Sequence, residues 1–365
     1  MKIKVWDYLE EYEAEREDVL AGVEKVFRSG RLILGESVEN FEAAFSSYCG
    51  VKYGVGVDNA TNGLFLALKA LGIGPEHEVI TVSNTAVPTV AAIVATGATP
   101  RFVDIEPDTY LMNVQQVEAA ITPNTKCVLP VHLFGQCVDM DRLQELSSKT
   151  GVQLLEDCSQ SHGAAQKGRK AGSMSPLAVF SFYPTKPLGG YGDGGMVVSD
   201  DEHLAAKLRR LRFYGMDGAY YAEESGYNSR LDEVHAEILL RKLKRLEHYI
   251  DRRRALAQRY DEILSSTSLV LPRTAPGNSH VYYVYVCRHP DRERIMAELA
   301  KRDIWVNISY PYPIHTMRGY RYLGYQEGDL PETEQAAKEI FSLPMYPTLS
   351  FEAQDIVCQA LGEIV

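Results

Sequence analysis

Lys186 has the most chemistry to offer in this sequence. A short apolar strand candidate, Leu177 to Phe182, runs into Tyr183, Pro184, Thr185 and then this lysine. Glycines follow at Gly189, Gly190, Gly192, Gly194 and Gly195. Such glycines let backbone approach a bound group closely. A lysine held just past a strand end is placed to act as an amine nucleophile, whereas a lysine in an ordinary loop is a solvated charge. Upstream, Asp157 ends the apolar stretch Val152 to Leu155 and precedes Cys158, Ser159, Gln160, Ser161 and His162. A carboxylate at such a position is poorly solvated and needs a cationic partner. Further upstream, Asp58 to Gly63 separates a strand candidate, Tyr53 to Val57, from a helix beginning near Leu64. The N–H groups at that helix start suit an anion, although Asp58, Asn59 and Thr61 also fit as ordinary helix caps.

The competing chemistries are poorly supported. His132, His162 and Asp157 lack the ligand spacing of a zinc site, and no metal is expected. The chain has no Ser-His-Asp ordering and no nucleophile elbow. The formal net charge of -11 argues against non-specific nucleic-acid binding, which needs basic patches. It leaves room for an anionic ligand in a local pocket. The N-terminal residues lack the apolar core of a signal peptide, and no apolar run is long enough to span a bilayer. The six cysteines are scattered without a Cys-x-x-Cys spacing, which reads as free thiols in a reducing compartment. The expectation is a cytoplasmic protein that engages neither membrane nor nucleic acid.

The elements that must carry Lys186, Asp157 and the helix start alternate regularly. Strand candidates at 53–57, 78–82, 101–104, 127–131, 152–155, 177–182 and 195–199 are separated mostly by helices of about ten residues. Apolar strands in this rhythm predict a mostly parallel sheet covered on both faces, with ligands beyond the strands' carboxyl ends. One or two long helices over 232–264 lead to strands at 281–286 and 304–308 and helices at 291–302, 332–341 and 351–362, a smaller α+β unit. At 365 residues the chain exceeds one ordinary core. The expected division is a large domain over 1–245 and a linker helix with a small domain over 246–365. A tyrosine-rich tract, Tyr310 to Tyr325, also holds His315, Arg318 and Arg321. It suits a sugar ring or a subunit interface equally well.

A lysine, a strand-end aspartate and an anion-ready helix start are the requirements of pyridoxal 5′-phosphate. Here the sequence resembles the DegT/DnrJ/EryC1 sugar aminotransferases, within the fold-type I pyridoxal phosphate enzymes. The markers are Leu34 and Gly35 with Phe41 and Glu42; the run Ala67 to Pro75; Gly97 to Pro100; Val131 to Gln136; and Glu156 to Gln160. Phe182 to Lys186, Tyr227 to Glu233 and Ser342 to Met345 complete the set, so the resemblance covers nearly the whole chain.

The resemblance implies that Lys186 carries the cofactor and Asp157 partners its pyridine nitrogen. Gln160 would lie near the 3-hydroxyl, with Ala60, Thr61 and Ser181 at the phosphate. Asn228 would reach the phosphate of a neighbouring subunit's cofactor, making a homodimer with shared sites. Tyr183, Tyr310 and His315 are candidate substrate contacts, and each suits a core or interface position equally well. Two positions depart from the family pattern. Asn59 to Asn62 stands where relatives often have Ser-Gly-Thr-Asp, and Ala86 and Val87 stand where many have a ring-stacking aromatic. An aliphatic side chain is the expected substitute.

Related dehydratases replace the lysine with histidine, so Lys186 favours transamination. The implied activity moves an amino group from glutamate to a keto group of a nucleotide-linked sugar. The run Asp193-Gly194-Gly195 resembles members acting on 3-keto sugars, which points to a dTDP-3-keto-6-deoxyhexose giving a dTDP-3-amino-3,6-dideoxyhexose. The alternatives are a 4-keto-6-deoxy sugar, a UDP-3-keto-uronate, and a non-catalytic regulator of the same fold.

Overall fold

The computed structural model describes residues 2–218 and 220–365. Helices α1 (Leu9–Ser29) and α2 (Glu36–Cys49) precede the first strand, β1 (Tyr53–Val57). Then α3 (Ala60–Ala70), β2 (Glu78–Val82), α4 (Val87–Ala95), β3 (Thr99–Val103), α5 (Val114–Ala120), β4 (Thr125–Val128), α6 (Met140–Thr150) and β5 (Gln153–Asp157) alternate. A small hairpin, β6 (Ala165–Gln166) and β7 (Arg169–Lys170), leads to β8 (Leu177–Ser181), β9 (Gly195–Ser199) and α7 (Glu202–Leu211).

The seven long strands form one sheet in the order β1-β9-β8-β5-β4-β2-β3. All run parallel except β9, which is antiparallel to both neighbours. β9 is reached from β8 through the lysine loop alone, with no crossover helix, and so returns in the opposite direction. Its register matters for the site. Gly195 pairs with Val57 on one side and with Ser181 on the other, while Asp157 pairs with Val179. The ends of β1, β8 and β5 therefore meet at one edge of the sheet. Phe182, just past β8, packs edge-on to Phe41 and Phe45 of α2, with centroids 5.1 and 5.2 Å away. Such pairs add about 0.5–1.5 kcal/mol beyond area burial, and they seat the start of the lysine loop.

The long helical stretch divides into α8 (Glu233–Leu243) and α9 (Leu246–Leu264). After the short β10 (Asn278–Ser279), which pairs with β6, come β11 (Tyr285–Arg288), α10 (Arg292–Lys301), α11 (Pro331–Glu339), β12 (Ile340–Leu343) and α12 (Phe351–Ile364). The strand expected over 304–308 is reduced to single bridges, Ile304 with Ile3 and Asn307 with Ser342. Two large apolar cores result, and each draws on residues from both sides of position 245. Ile3 lies in the second core with Tyr260, Tyr285 and Leu361, whereas Leu246, Ile250, Val281 and Ile340 belong to the first. The chain's beginning pairs with Ile304, so the second core is built from both ends. Among the described residues no helix is long and apolar enough to cross a membrane.

Candidate active site

The meeting strand ends enclose a cavity of about 270 Å³ lined by Ala60, Thr61, Asp157, Gln160, Ser181, Tyr183 and Lys186. The sequence placed these residues on three separate segments. The register of β1, β9, β8 and β5 brings them together.

At one side stands the N-terminus of α3. Asn59 caps it, its side chain accepting from the Asn62 N–H at 2.9 Å. The Ala60 and Thr61 N–H groups lie in the first turn, where a helix offers no internal acceptor. Gly195 makes this approach possible. A Cβ there would sit 2.7 Å from the Asn59 carbonyl carbon and 2.8 Å from the Ala60 nitrogen. The Ser181 hydroxyl, which accepts from the Tyr183 N–H at 3.3 Å, lines the same cavity.

Asp157 is 3% exposed. The Thr89 hydroxyl donates to its Oδ2 at 2.8 Å and the Ser159 N–H to its Oδ1 at 3.1 Å. Among the described residues no basic side chain pairs with it. Two neutral donors soften the burial of this charge without neutralising it. A protonated ring nitrogen in the cavity would complete the site, so the donor set fits a pyridoxal ring. Thr89 was not singled out in the sequence. Its signal is Pro88, which marks the start of α4 just past the end of β2.

Gln160 accepts from the Phe134 N–H at 2.8 Å and donates to the Tyr310 hydroxyl at 2.8 Å. Burial, then the neighbouring Tyr283 and Asp157, pushes the Tyr310 phenol well above its ordinary range. Lys186 is half-buried, its backbone N–H bonded to the Tyr183 carbonyl at 2.9 Å in a tight turn. Gly189 closes that turn, where a Cβ would meet the Pro184 carbonyl oxygen at 2.3 Å. The aliphatic side chains on the cavity wall are Ala86, Pro88, Leu64 and Val131. Val87, 39% exposed, is not among them.

Two expected residues lie elsewhere. Asn228 is exposed and lines a second cavity of about 420 Å³ with Asp58, Arg230 and His235, which shares Asp193 with the lysine cavity. His315 is fully buried, with Nδ1 2.8 Å from the Ser83 hydroxyl and Nε2 3.1 Å from Glu334. His315 was expected as a substrate contact, and the hydrogen bonds it makes are internal to the chain. Both ring nitrogens are engaged in clamping the tyrosine-rich tract onto the end of β2, and the residue borders a separate cavity with Arg292, Tyr312 and Arg321. The charges of that cavity are largely spoken for. Arg292 holds the Ala337 carbonyl and Glu293, and Glu334 accepts from the Gly328 N–H.

A buried group of possible metal ligands, His132, Glu156 and Cys158, is present. Glu156 already accepts from His132 Nε2, the Gly172 and Met174 N–H groups and the Ser175 hydroxyl at 2.8–3.0 Å. His132 Nδ1 accepts from the Val138 N–H at 3.1 Å. Burial raises the Glu156 carboxyl, but these donors outweigh it and hold the group below its ordinary 4.5. Burial pushes the Cys158 thiol well up, away from the thiolate a metal needs.

Comparison with known proteins agrees with this geometry. A dTDP-3-amino-3,4,6-trideoxy-alpha-D-glucose transaminase of Micromonospora megalomicea subsp. nigra is 56% identical, over 100% of this chain and 99% of that protein. A pleiotropic regulatory protein of Geobacillus stearothermophilus is 40% identical, over 100% and 98%. The crystal structure of S. venezuelae DesV in complex with a ketimine intermediate superposes with a TM-score of 0.98 at 41% identity, covering 99% of this chain and 98% of that one. The model of the DegT/DnrJ/EryC1/StrS aminotransferase family matches residues 13–362, and the chain belongs to that family.

Proposed function

We propose that this protein is a pyridoxal 5′-phosphate-dependent aminotransferase that places an amino group at C3 of a dTDP-linked 3-keto deoxysugar, with glutamate as donor. The observation that carries the reading is one cavity joining Lys186, the uncompensated Asp157 and the α3 N-terminus. The sugar is supported by the 56% identity to a transaminase named for a dTDP-3-amino sugar.

In this reading the cofactor supplies an electron sink for the carbon that loses its proton. Asp157, buried and held by Thr89, keeps a proton on the pyridine nitrogen. The Ala60 and Thr61 N–H groups and the Ser181 hydroxyl bind the phosphate. Gln160, fixed by Phe134 and Tyr310, orients the 3-hydroxyl. Lys186 Nζ would take the proton from the substrate carbon as general base and later return one as general acid. Asn228, which lines the neighbouring cavity and not its own chain's lysine cavity, serves the site of a second subunit. The exposed Leu20, Phe27, Leu32, Ile33, Tyr214 and Tyr227 supply apolar surface for such a homodimer. Tyr183 and Tyr310 border the sugar.

The test supplies purified protein with cofactor and glutamate, then with dTDP-linked 3-keto and 4-keto sugars and a UDP-linked 3-keto uronate. The expected result is amino-sugar formation from the dTDP-3-keto substrate, lost about 1,000-fold or more in Lys186→Ala. Preference for another sugar would overturn the substrate assignment, and substantial turnover in Lys186→Ala would overturn the role of the lysine. The 40% identity to a regulatory protein supports a second, non-catalytic reading. Failure to convert any sugar while cofactor is bound would favour it.

A further inference from the structure

We infer that Tyr283 is a positioning residue that receives the Lys186 amine whenever that amine is free. The inference rests on the reading of Lys186 as the reactive lysine.

The Lys186 ammonium lies over the Tyr283 ring, 4.6 Å from its centroid. The same phenol is 3.0 Å from the hydroxyl of Thr185, the residue just before the lysine. Ring and hydroxyl therefore hold both the end and the root of one side chain. A ring face attracts an ammonium and has no such preference for a neutral amine. A lysine that accepts a proton after leaving its covalent partner thus gains a defined resting place.

The backbone that presents Tyr283 is held from three sides. Arg253 of α9 is 2% exposed, and its Nη1 donates to the Tyr282, Tyr283 and Met345 carbonyls at 3.3, 3.2 and 2.9 Å. The Tyr283 N–H donates to the Phe134 carbonyl at 3.1 Å, and Phe134 in turn donates to Gln160. Tyr282 sits at φ +48°, a left-handed conformation rare for a bulky side chain, with His280 stacked on its ring at 4.0 Å. Such a conformation persists only where its surroundings over-determine it. Here the surroundings are a buried arginine, a stacked imidazole and a backbone bond, all serving to aim the tyrosine that follows. The segment lies between α9 and β11, so placement of the amine is coupled to packing of the second core against the first.

The other titratable groups around the lysine are Asp157, His162, Tyr183, Asp193 and Tyr310. All are retained in sequence when only Tyr283 is changed. The experiment uses the full chain freed of cofactor, as wild type, Tyr283→Phe and Tyr283→Leu, with folding checked by circular dichroism. Trace labelling with an amine-reactive reagent, read at the Lys186 peptide by mass spectrometry, reports the uncharged amine directly. Loss of the ring should make Tyr283→Leu label about two- to fivefold faster than Tyr283→Phe near about pH 8, the two variants differing in the ring alone. The ratio should shrink towards one near about pH 11, where lysines are largely neutral in any case. Equal rates in Tyr283→Phe and Tyr283→Leu at the lower pH would overturn the proposal. So would a ratio that persists at the higher pH, since that marks access rather than charge. Because no turnover is measured, this outcome is independent of the Lys186→Ala result.

Discussion

Replacing His162 with Phe should remove a large part of the protein's sensitivity to mild acid. His162 is fully buried among Phe45, Phe180 and Phe182, with centroids 6.2, 5.2 and 5.9 Å away. Neither ring nitrogen has a hydrogen-bond partner among the described residues. Burial, and secondarily the charge on Lys186, lowers its pKa from 6.5 to about 3, while the Ser181 backbone opposes weakly from outside hydrogen-bond geometry. The unfolded chain therefore takes up this proton near pH 6.5, and the folded chain only near pH 3. Between those values the unfolded state binds more protons, so stability falls as pH falls. The contribution is intact above pH 6.5 and is fully lost only near pH 3. From about pH 7.5 to about pH 5 the loss amounts to about 2 kcal/mol. Equilibrium urea unfolding of cofactor-free protein at these two pH values, at one protein concentration, measures it. Wild type should lose about 2 kcal/mol more than His162→Phe over this interval. Any fixed cost of fitting the larger ring cancels in the comparison, as does the titration of His280, also lowered to about 3 by burial. Equal losses in the two proteins would refute the argument.

Gly195→Ala should weaken cofactor binding and cost about 1–3 kcal/mol, because the added methyl meets the Asn59–Ala60 backbone at 2.7–2.8 Å. Fluorescence titration and urea unfolding check both effects, and Gly319→Ala, where nothing lies within 4 Å, should change neither. Arg212→Ala should cost about 3–5 kcal/mol by stranding the buried Glu42, its ion-pair partner. Urea midpoints measure this loss, and Arg212→Met with Glu42→Gln should recover much of it.

The strength of the sequence signal varied with the range of the interaction that produced it. The alternation of apolar strands with amphipathic helices predicted the order of the seven sheet strands, because each element's period is a local property, whereas the two-residue strands β6 and β7 are too short to show a period. Asn59 as a cap, Pro88 at a helix start and Gly189 in a tight turn are likewise set within a few residues. His315, in its tyrosine-rich tract, reads as a ligand-binding group, and nothing local to it signals its internal bonds. Its partners, Ser83 and Glu334, are 232 and 19 residues away. The second core draws on distant parts of the chain for a similar reason, since Ile3 finds its bridge partner at Ile304.

By itself, the sequence determined the chemistry on offer: a lysine in a glycine-rich loop, a carboxylate ending an apolar strand, and a helix start ready for an anion. Residue type and local period suffice for these. Only the tertiary structure decided that β9 turns back between β1 and β8, setting Gly195 beside both Val57 and Ser181 and so closing the cavity. It alone placed Thr89 on Asp157 and Tyr283 over Lys186. These contacts join residues 68 and about a hundred positions apart. They arise because packing two cores fixes which distant surfaces touch, and no local pattern records that choice.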